Sequence, residues 1–126
     1  MERKLASWLD AFLDYTEGRD VPLIFRKWAG IATIAGALER KVWVMARPPD
    51  PLFPNMYIAL VGPPGVGKTF IIQAVRGFLK SLKNHHISKS SLSRASLIDS
   101  LREATRQEVV NNNTKVEQFN SLSVIS

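Results

Sequence analysis

The sequence contains no cysteine among its 126 residues. Disulfide bonds, thiolate metal sites and thiol nucleophiles are therefore excluded together. Long apolar runs are also missing, since the longest candidate, Ile31–Leu38, is far shorter than the roughly 18 residues of a membrane-spanning helix. Asp10 and Asp14 interrupt the apolar residues near the N-terminus, so we predict no signal peptide. We expect a cytoplasmic protein that does not bind a membrane.

Acidic residues are scarce in the second half of the chain. Residues 1–61 carry eight Lys/Arg and seven Asp/Glu, a net charge of +1, whereas residues 62–126 carry nine and four, a net charge of +5. No carboxylate occurs between Lys68 and Arg94. This bias favours a polyanionic partner such as DNA, because basic groups release counterions from a phosphate backbone on binding. A solvated basic helix face is the alternative interpretation.

Two helices are predicted in the first third of the chain. Apolar residues recur at helical spacing over Lys4–Glu17, and Gly18 ends that pattern. A second helix is predicted from Asp20 to Glu39, with a proline near its first turn. It is apolar on almost all sides and rich in small residues, so we expect it to be buried and closely packed.

Strand and helix patterns alternate further along the chain. Val42–Met45 is predicted to be a short strand and residues 47–51 a proline-rich loop. Met56–Val61 is continuously apolar, which predicts a central parallel strand covered on both faces. Helices are predicted at residues 67–83, with one clean apolar stripe, and at 92–110. Residues 119–126 are predicted to begin another strand.

Eight consecutive residues, Gly62-Pro63-Pro64-Gly65-Val66-Gly67-Lys68-Thr69, match the P-loop pattern of glycine, four free positions, glycine, lysine and a hydroxyl residue. Glycine lets the backbone adopt conformations closed to other residues and approach phosphate oxygens without an intervening Cβ. Successive N–H groups and the N-terminus of the following helix then favour an anion. We therefore predict a nucleoside triphosphate site, for ATP in the first instance.

Individual roles within this site follow from the pattern. Lys68 is predicted to reach the β and γ phosphates and to be the catalytic residue. The Thr69 hydroxyl is predicted to bind Mg²⁺, and Phe70, directly after the loop, completes the predicted nucleotide contacts.

Hydrolysis also requires a carboxylate that holds magnesium at the end of a neighbouring strand. Neither Asp99 nor Glu103 is placed for that role, because both fall within a helical pattern. We expect a Walker B strand at Leu122–Ile125 that is cut off before its acid. A C-terminal strand with no such role is the alternative.

Three other groups of residues each have two interpretations. The pair His85 and His86 is either a metal site or an ordinary polar segment, and we expect no metal site. The tryptophans Trp8, Trp28 and Trp43 either pack in the core, which we favour, or stack on nucleic-acid bases. The arginines Arg94, Arg102 and Arg106 either form a solvated face, which we favour, or include an arginine finger for a neighbouring subunit.

The stretch Pro54–Thr69 resembles the P-loop region of phage- and plasmid-encoded ATPases of the primase–helicase type. Residues Trp28–Ala32 and Leu38–Trp43 upstream, and Ser96–Leu101 downstream, are also similar to those proteins. The resemblance implies a RecA-like or AAA-like core that couples ATP hydrolysis to work on DNA in phage or plasmid replication. A homo-oligomeric ring is a further expectation.

The predicted fold class is α/β, a P-loop NTPase core with a partial parallel sheet flanked by helices. We place this core at residues 48–126, after a helical segment with a short strand at residues 1–47. Since each strand with its crossover helix takes about 30 residues, the chain is short for a complete core. The leading hypothesis is that the chain is the N-terminal part of a DNA-dependent ATPase of the helicase type. The alternatives are a small-molecule or nucleotide kinase and a nucleotide-gated assembly module that does not hydrolyse.

Overall fold

The computed structural model describes the backbone of residues 7–88, 93–110 and 115–120, and the side chains of residues 7–88 and 93–104. The chain divides into two compact units, residues 1–81 and 82–126. The first unit includes residues on both sides of the domain boundary predicted at residues 47 and 48, a boundary that stays a prediction. The predicted Walker B strand lies outside the described residues.

Helix α1 spans Trp8–Tyr15 and carries a capping side chain at each end. The Ser7 hydroxyl accepts a hydrogen bond from the Asp10 N–H at 3.3 Å, which satisfies one of the first-turn donors. After the last turn, the Thr16 hydroxyl donates to a carbonyl oxygen one turn earlier, at 2.9 Å. The helix predicted from the apolar spacing is therefore confirmed over the described residues.

Helix α2 spans Leu23–Leu38 and packs one face against α1. Gly30 allows close contact there, because a Cβ at that position would lie 2.6 Å from Leu9 Cδ1. The close packing predicted from the small residues is thus confirmed. The prediction that α2 is buried on almost all sides is wrong, since Ile24 and Trp28 are 55% and 42% exposed.

Helix α3 spans Lys68–Lys80 and packs against α2. Its predicted apolar stripe is confirmed, with Ile71, Val75 and Leu79 buried one turn apart. The Phe78 ring contacts three rings of α1 at centroid distances of 5.6 to 5.7 Å, those of Trp8, Phe12 and Tyr15. Burying each large aliphatic side chain contributes about 1.5–3 kcal/mol, so this stripe fixes α3 on the other two helices.

Strands β1 (Val44–Arg47) and β2 (Asp50–Leu52) form an exposed antiparallel hairpin. The hairpin turns at Pro48–Pro49, whose peptide bond is cis. The strand predicted at residues 42–45 is confirmed with shifted bounds. The prediction that residues 47–51 form only a loop is wrong, because β2 begins at Asp50. A proline is tolerated in β2 because both strands of a two-stranded sheet are edge strands.

The predicted parallel sheet, and with it the α/β P-loop NTPase fold class, is contradicted. Both sheets among the described residues are two-stranded and antiparallel. Met56–Val61, predicted as the central strand, is not in a strand, and Tyr57 and Val61 are 97% and 85% exposed. Only Ile58 and Leu60 are half-buried, an alternation typical of an extended segment with one covered face. Its apolar composition favours a strand, but a strand forms only where a neighbour completes its hydrogen bonds.

The second unit contains α4 (Arg94–Glu103) and an antiparallel pair, β3 (Thr105–Val110) and β4 (Lys115–Asn120). A reciprocal capping box between Ser93 and Ser96 starts α4. The single helix predicted at residues 92–110 is wrong after Glu103. Its last residues are instead the strand β3, which pairs in continuous register with β4, and β-branched residues favour such a strand.

Candidate phosphate-binding site

The Gly62–Thr69 loop connects the extended segment before it to α3, and two of its glycines have a left-handed backbone. Gly65 and Gly67 adopt φ angles of 82° and 77°. The first hydrogen bond of α3 joins the Ile71 N–H to the Gly67 carbonyl at 3.2 Å, so Gly67 is the N-cap. A left-handed conformation costs roughly 1–2 kcal/mol at a residue with a side chain, so glycine is needed at both positions. The backbone freedom predicted from the sequence is confirmed for these two residues.

Close packing explains why the loop begins with a glycine, Gly62. A Cβ at Gly62 would lie 3.2 Å from Phe25 Cζ of α2 and 3.2 Å from Val66 Cγ1. These distances are tighter than ordinary van der Waals contact. Gly62 therefore lets the start of the loop approach the first turns of α2.

Gly67 makes a second close approach to the segment before α2. Val21, which is buried, has its Cγ2 where a Cβ at Gly67 would project, and the Asp20 carbonyl oxygen lies 3.3 Å from the same point. Sequence reasoning missed the roles of Val21 and Phe25, because neither belongs to the P-loop pattern. The only sequence signal was the predicted helix start at residues 20–22, which says nothing about what that helix end contacts.

Two helix N-termini therefore lie side by side at this loop. Val21 immediately precedes Pro22, the N-cap of α2, and it touches Gly67, the N-cap of α3. Neither cap makes a side-chain hydrogen bond, and neither helix has an acidic residue in its first turn. First-turn N–H groups and the positive end of each helix dipole favour an anion. The geometry thus supplies the electrostatic setting that an anionic ligand requires.

The Lys68 side chain folds back over the loop. Its Nζ donates to the Gly62 carbonyl oxygen at 2.5 Å and to the Pro63 carbonyl oxygen at 3.0 Å. These contacts hold the ammonium group against the first two residues of the loop. Neutral carbonyl oxygens do not offset the charge of an ammonium group, so it can still attract a phosphate oxygen.

The other residues predicted to contact the nucleotide lie in the same loop and in the first turn of α3. Pro63, Pro64 and Thr69 are exposed, so the loop is open to solvent at the start of α3. Phe70, the third residue of α3, is half-buried, and the Arg19 guanidinium lies over its ring at 4.8 Å from Cζ to the centroid. Arg19 was also missed by the sequence reasoning, because nothing in its local pattern relates it to a loop over forty residues away.

The described side chains were also compared with the requirements of a metal site. They contain no group of three or more His, Cys, Asp or Glu that could hold a metal ion. Asp99 and Glu103 are exposed on α4, in the second unit. The Mg²⁺ prediction for Thr69 stays a prediction.

The tryptophan residues divide into two groups. Trp8 stacks on Phe12 with ring centroids 5.2 Å apart, which confirms the core packing predicted for it. Trp28 and Trp43 are 42% and 59% exposed, so core packing is the wrong interpretation for both. Arg94 and Arg102 are exposed on α4, as a solvated face requires, and the Arg106 side chain lies outside the described residues.

No helix within the described residues is both long and apolar enough to cross a bilayer.

Comparison with known proteins identifies no relative. No protein-family model matches the chain, and neither a curated protein nor a solved structure matches it.

Proposed function

We propose that this chain binds a nucleoside triphosphate together with Mg²⁺, in the first instance ATP, at the Gly62–Thr69 loop. The observation that carries the proposal is the position of Lys68. Its ammonium lies over a glycine-rich turn that leads directly into a helix N-terminus, with a second helix N-terminus beside it. Helix N-termini supply first-turn N–H donors beside this positive charge, and a polyphosphate is the ligand whose charge and size complement them.

Each predicted residue has a physical role in this proposal. Lys68 would exchange carbonyl contacts for the β and γ phosphates as a mobile point charge. Backbone N–H groups from Gly65 to Thr69 would donate to phosphate oxygens, because the left-handed glycines allow close approach. The exposed Thr69 hydroxyl would complete the coordination shell of Mg²⁺.

The biological role that we propose is that of a part of a DNA-dependent ATPase of the helicase type, acting in the cytoplasm in phage or plasmid replication. The resemblance of Pro54–Thr69 to primase–helicase ATPases and the net +5 charge of residues 62–126 support it. The basic half provides the electrostatic attraction for DNA. Assembly into a ring belongs to the same proposal.

The direct test is the affinity for Mg–ATP of the wild type and of Lys68→Ala, measured by calorimetry. Losing charge-assisted hydrogen bonds to the phosphates is expected to weaken binding by about 10- to 100-fold. Lys80→Ala, in the last turn of the same helix, is the matched control and is expected to bind like the wild type. Equal affinity in the wild type and Lys68→Ala would overturn the proposal.

A further inference from the structure

The short connector between α1 and α2 lies against the start of α3 through two contacts, one of which is made by Arg19. Its guanidinium lies over the ring of Phe70, in the first turn of α3. Two residues later Val21 packs against Gly67. The Val21 N–H also donates to the Arg19 carbonyl oxygen at 2.6 Å, which tightens the connector. The connector therefore presents Arg19 to the beginning of the helix that the loop opens.

The contact with Phe70 does not use a hydrogen-bond acceptor, so the guanidinium can still donate its N–H groups to a ligand. Phe70 is in the first turn of α3 and helix side chains tilt toward the N-terminus, so the guanidinium over its ring lies near the end of α3 at which an anion would bind. A planar guanidinium is suited to bidentate hydrogen bonding with a phosphate group.

No ion pair within the described part of the chain neutralises the charge of Arg19. Among the side chains that the structure describes, no carboxylate lies within ion-pair distance of Arg19, although the exposed Asp20 is its neighbour in the chain. Arg19 contacts a first-turn residue of α3 and therefore adds a second cation near the N-terminal end of the helix that begins with Lys68. One bound polyphosphate would neutralise both cations.

We propose that Arg19 is a second phosphate-contacting residue of this site, which donates to the phosphate chain of the nucleotide bound at the Gly62–Thr69 loop. This inference rests on the proposed function. Arg19 acts together with Lys68, and Phe70 is the positioning residue that holds the guanidinium. The helical N-terminal segment is then a part of the nucleotide site and not only a packing element.

Calorimetric titration of two probes, Mg–ATP and Mg–tripolyphosphate, tests the inference on the wild type and on Arg19→Gln. A residue that contacts phosphates is expected to lose about 10-fold in affinity for both probes. The matched control is Arg40→Gln, since Arg40 also lies over an aromatic ring, that of Phe53, at 4.2 Å. Arg40 follows the opposite end of α2, about 24 Å along the helix axis, so its substitution is expected to change neither affinity.

The outcomes separate this inference from the proposed function. Loss of affinity for Mg–ATP alone would mean that Arg19 contacts the base or ribose, which overturns the inference. No loss for either probe, with Lys68→Ala still defective, would overturn the inference and leave the proposed function standing. If the wild type binds neither probe, the proposed function fails and the inference fails with it.

The positioning role of Phe70 has its own readout. Phe70→Leu keeps the charge of Arg19 but removes the ring, so its affinity for tripolyphosphate is expected to fall part of the way toward that of Arg19→Gln. In the Arg19→Gln background the same substitution is expected to have no further effect, because the guanidinium is already absent. Additive losses would contradict the positioning role. Thermal unfolding followed by circular dichroism verifies that each variant is folded.

Discussion

At the scale of single residues, the three glycines of the Gly62–Thr69 loop are needed for different reasons. Gly65 has a left-handed backbone and open space around it. Gly62 needs only the missing Cβ, because Phe25 and Val66 lie against it. Gly67 needs both, because its φ is 77° and Val21 occupies the place of a side chain. The motif shows where glycine occurs, whereas the tertiary contacts show which property of glycine is used.

Alanine at Gly67 is therefore expected to be more destabilising than alanine at Gly65. In both variants, alanine in a left-handed conformation is expected to lower the free energy of unfolding by roughly 1–2 kcal/mol. In Gly67→Ala, overpacking against Val21 is expected to lower it by about 1–3 kcal/mol more. Urea denaturation measures the difference.

A matched control for the backbone effect alone is available outside the loop. Gly18 has a φ of 75°, and no atom lies within 4 Å of a Cβ added there. Gly18→Ala is therefore expected to lose as much stability as Gly65→Ala. A Gly67→Ala variant as stable as these two would show that Val21 does not pack tightly on the loop.

At the scale of elements, α3 is the element that local sequence signals describe best. Apolar residues four positions apart make one stripe, and that stripe is the buried face in the structure. The α2 pattern was less informative, because a helix that is apolar all round does not indicate which face packs. Contact with α1 and α3 selects the face containing Gly30, and Ile24 is left exposed.

Two isoleucine substitutions distinguish the buried stripe from the exposed face. Ile71→Ala on α3 is expected to lower the free energy of unfolding by about 2–5 kcal/mol, because Ile71 is fully buried. Ile24→Ala on α2 is expected to change it by less than about 0.5 kcal/mol, since that side chain is 55% exposed. Chemical denaturation of both variants and the wild type measures these values. Similar losses in the two variants would contradict the assignment of the buried faces.

At the scale of the whole molecule, the basic half of the chain carries the proposal of a DNA partner. Lys80 and Lys83 are exposed, and no carboxylate lies between Lys68 and Arg94 to offset their charge. Binding through such groups depends on salt, because it releases counterions from DNA.

Single-stranded DNA is accordingly expected to stimulate ATP turnover by the full-length gene product at low salt, and the stimulation is expected to decline as salt rises. Lys80→Gln with Lys83→Gln should weaken DNA binding and reduce its salt slope by about one per lost phosphate contact. Lys27→Gln, an exposed lysine in the nearly neutral half, is the control. Turnover that DNA does not change at low salt would exclude the helicase proposal.

The sequence by itself determined the features that depend on neighbours in the chain. These are α1, the approximate bounds of α2, the stripe of α3, and the glycine-rich loop before it, because caps, helical spacing and left-handed glycines act within a few residues. The tertiary structure alone decided the features that join distant segments. Arg19 meets Phe70, Val21 meets Gly67, and Met56–Val61 remains outside any strand, because packing and strand pairing depend on which segments come together in space.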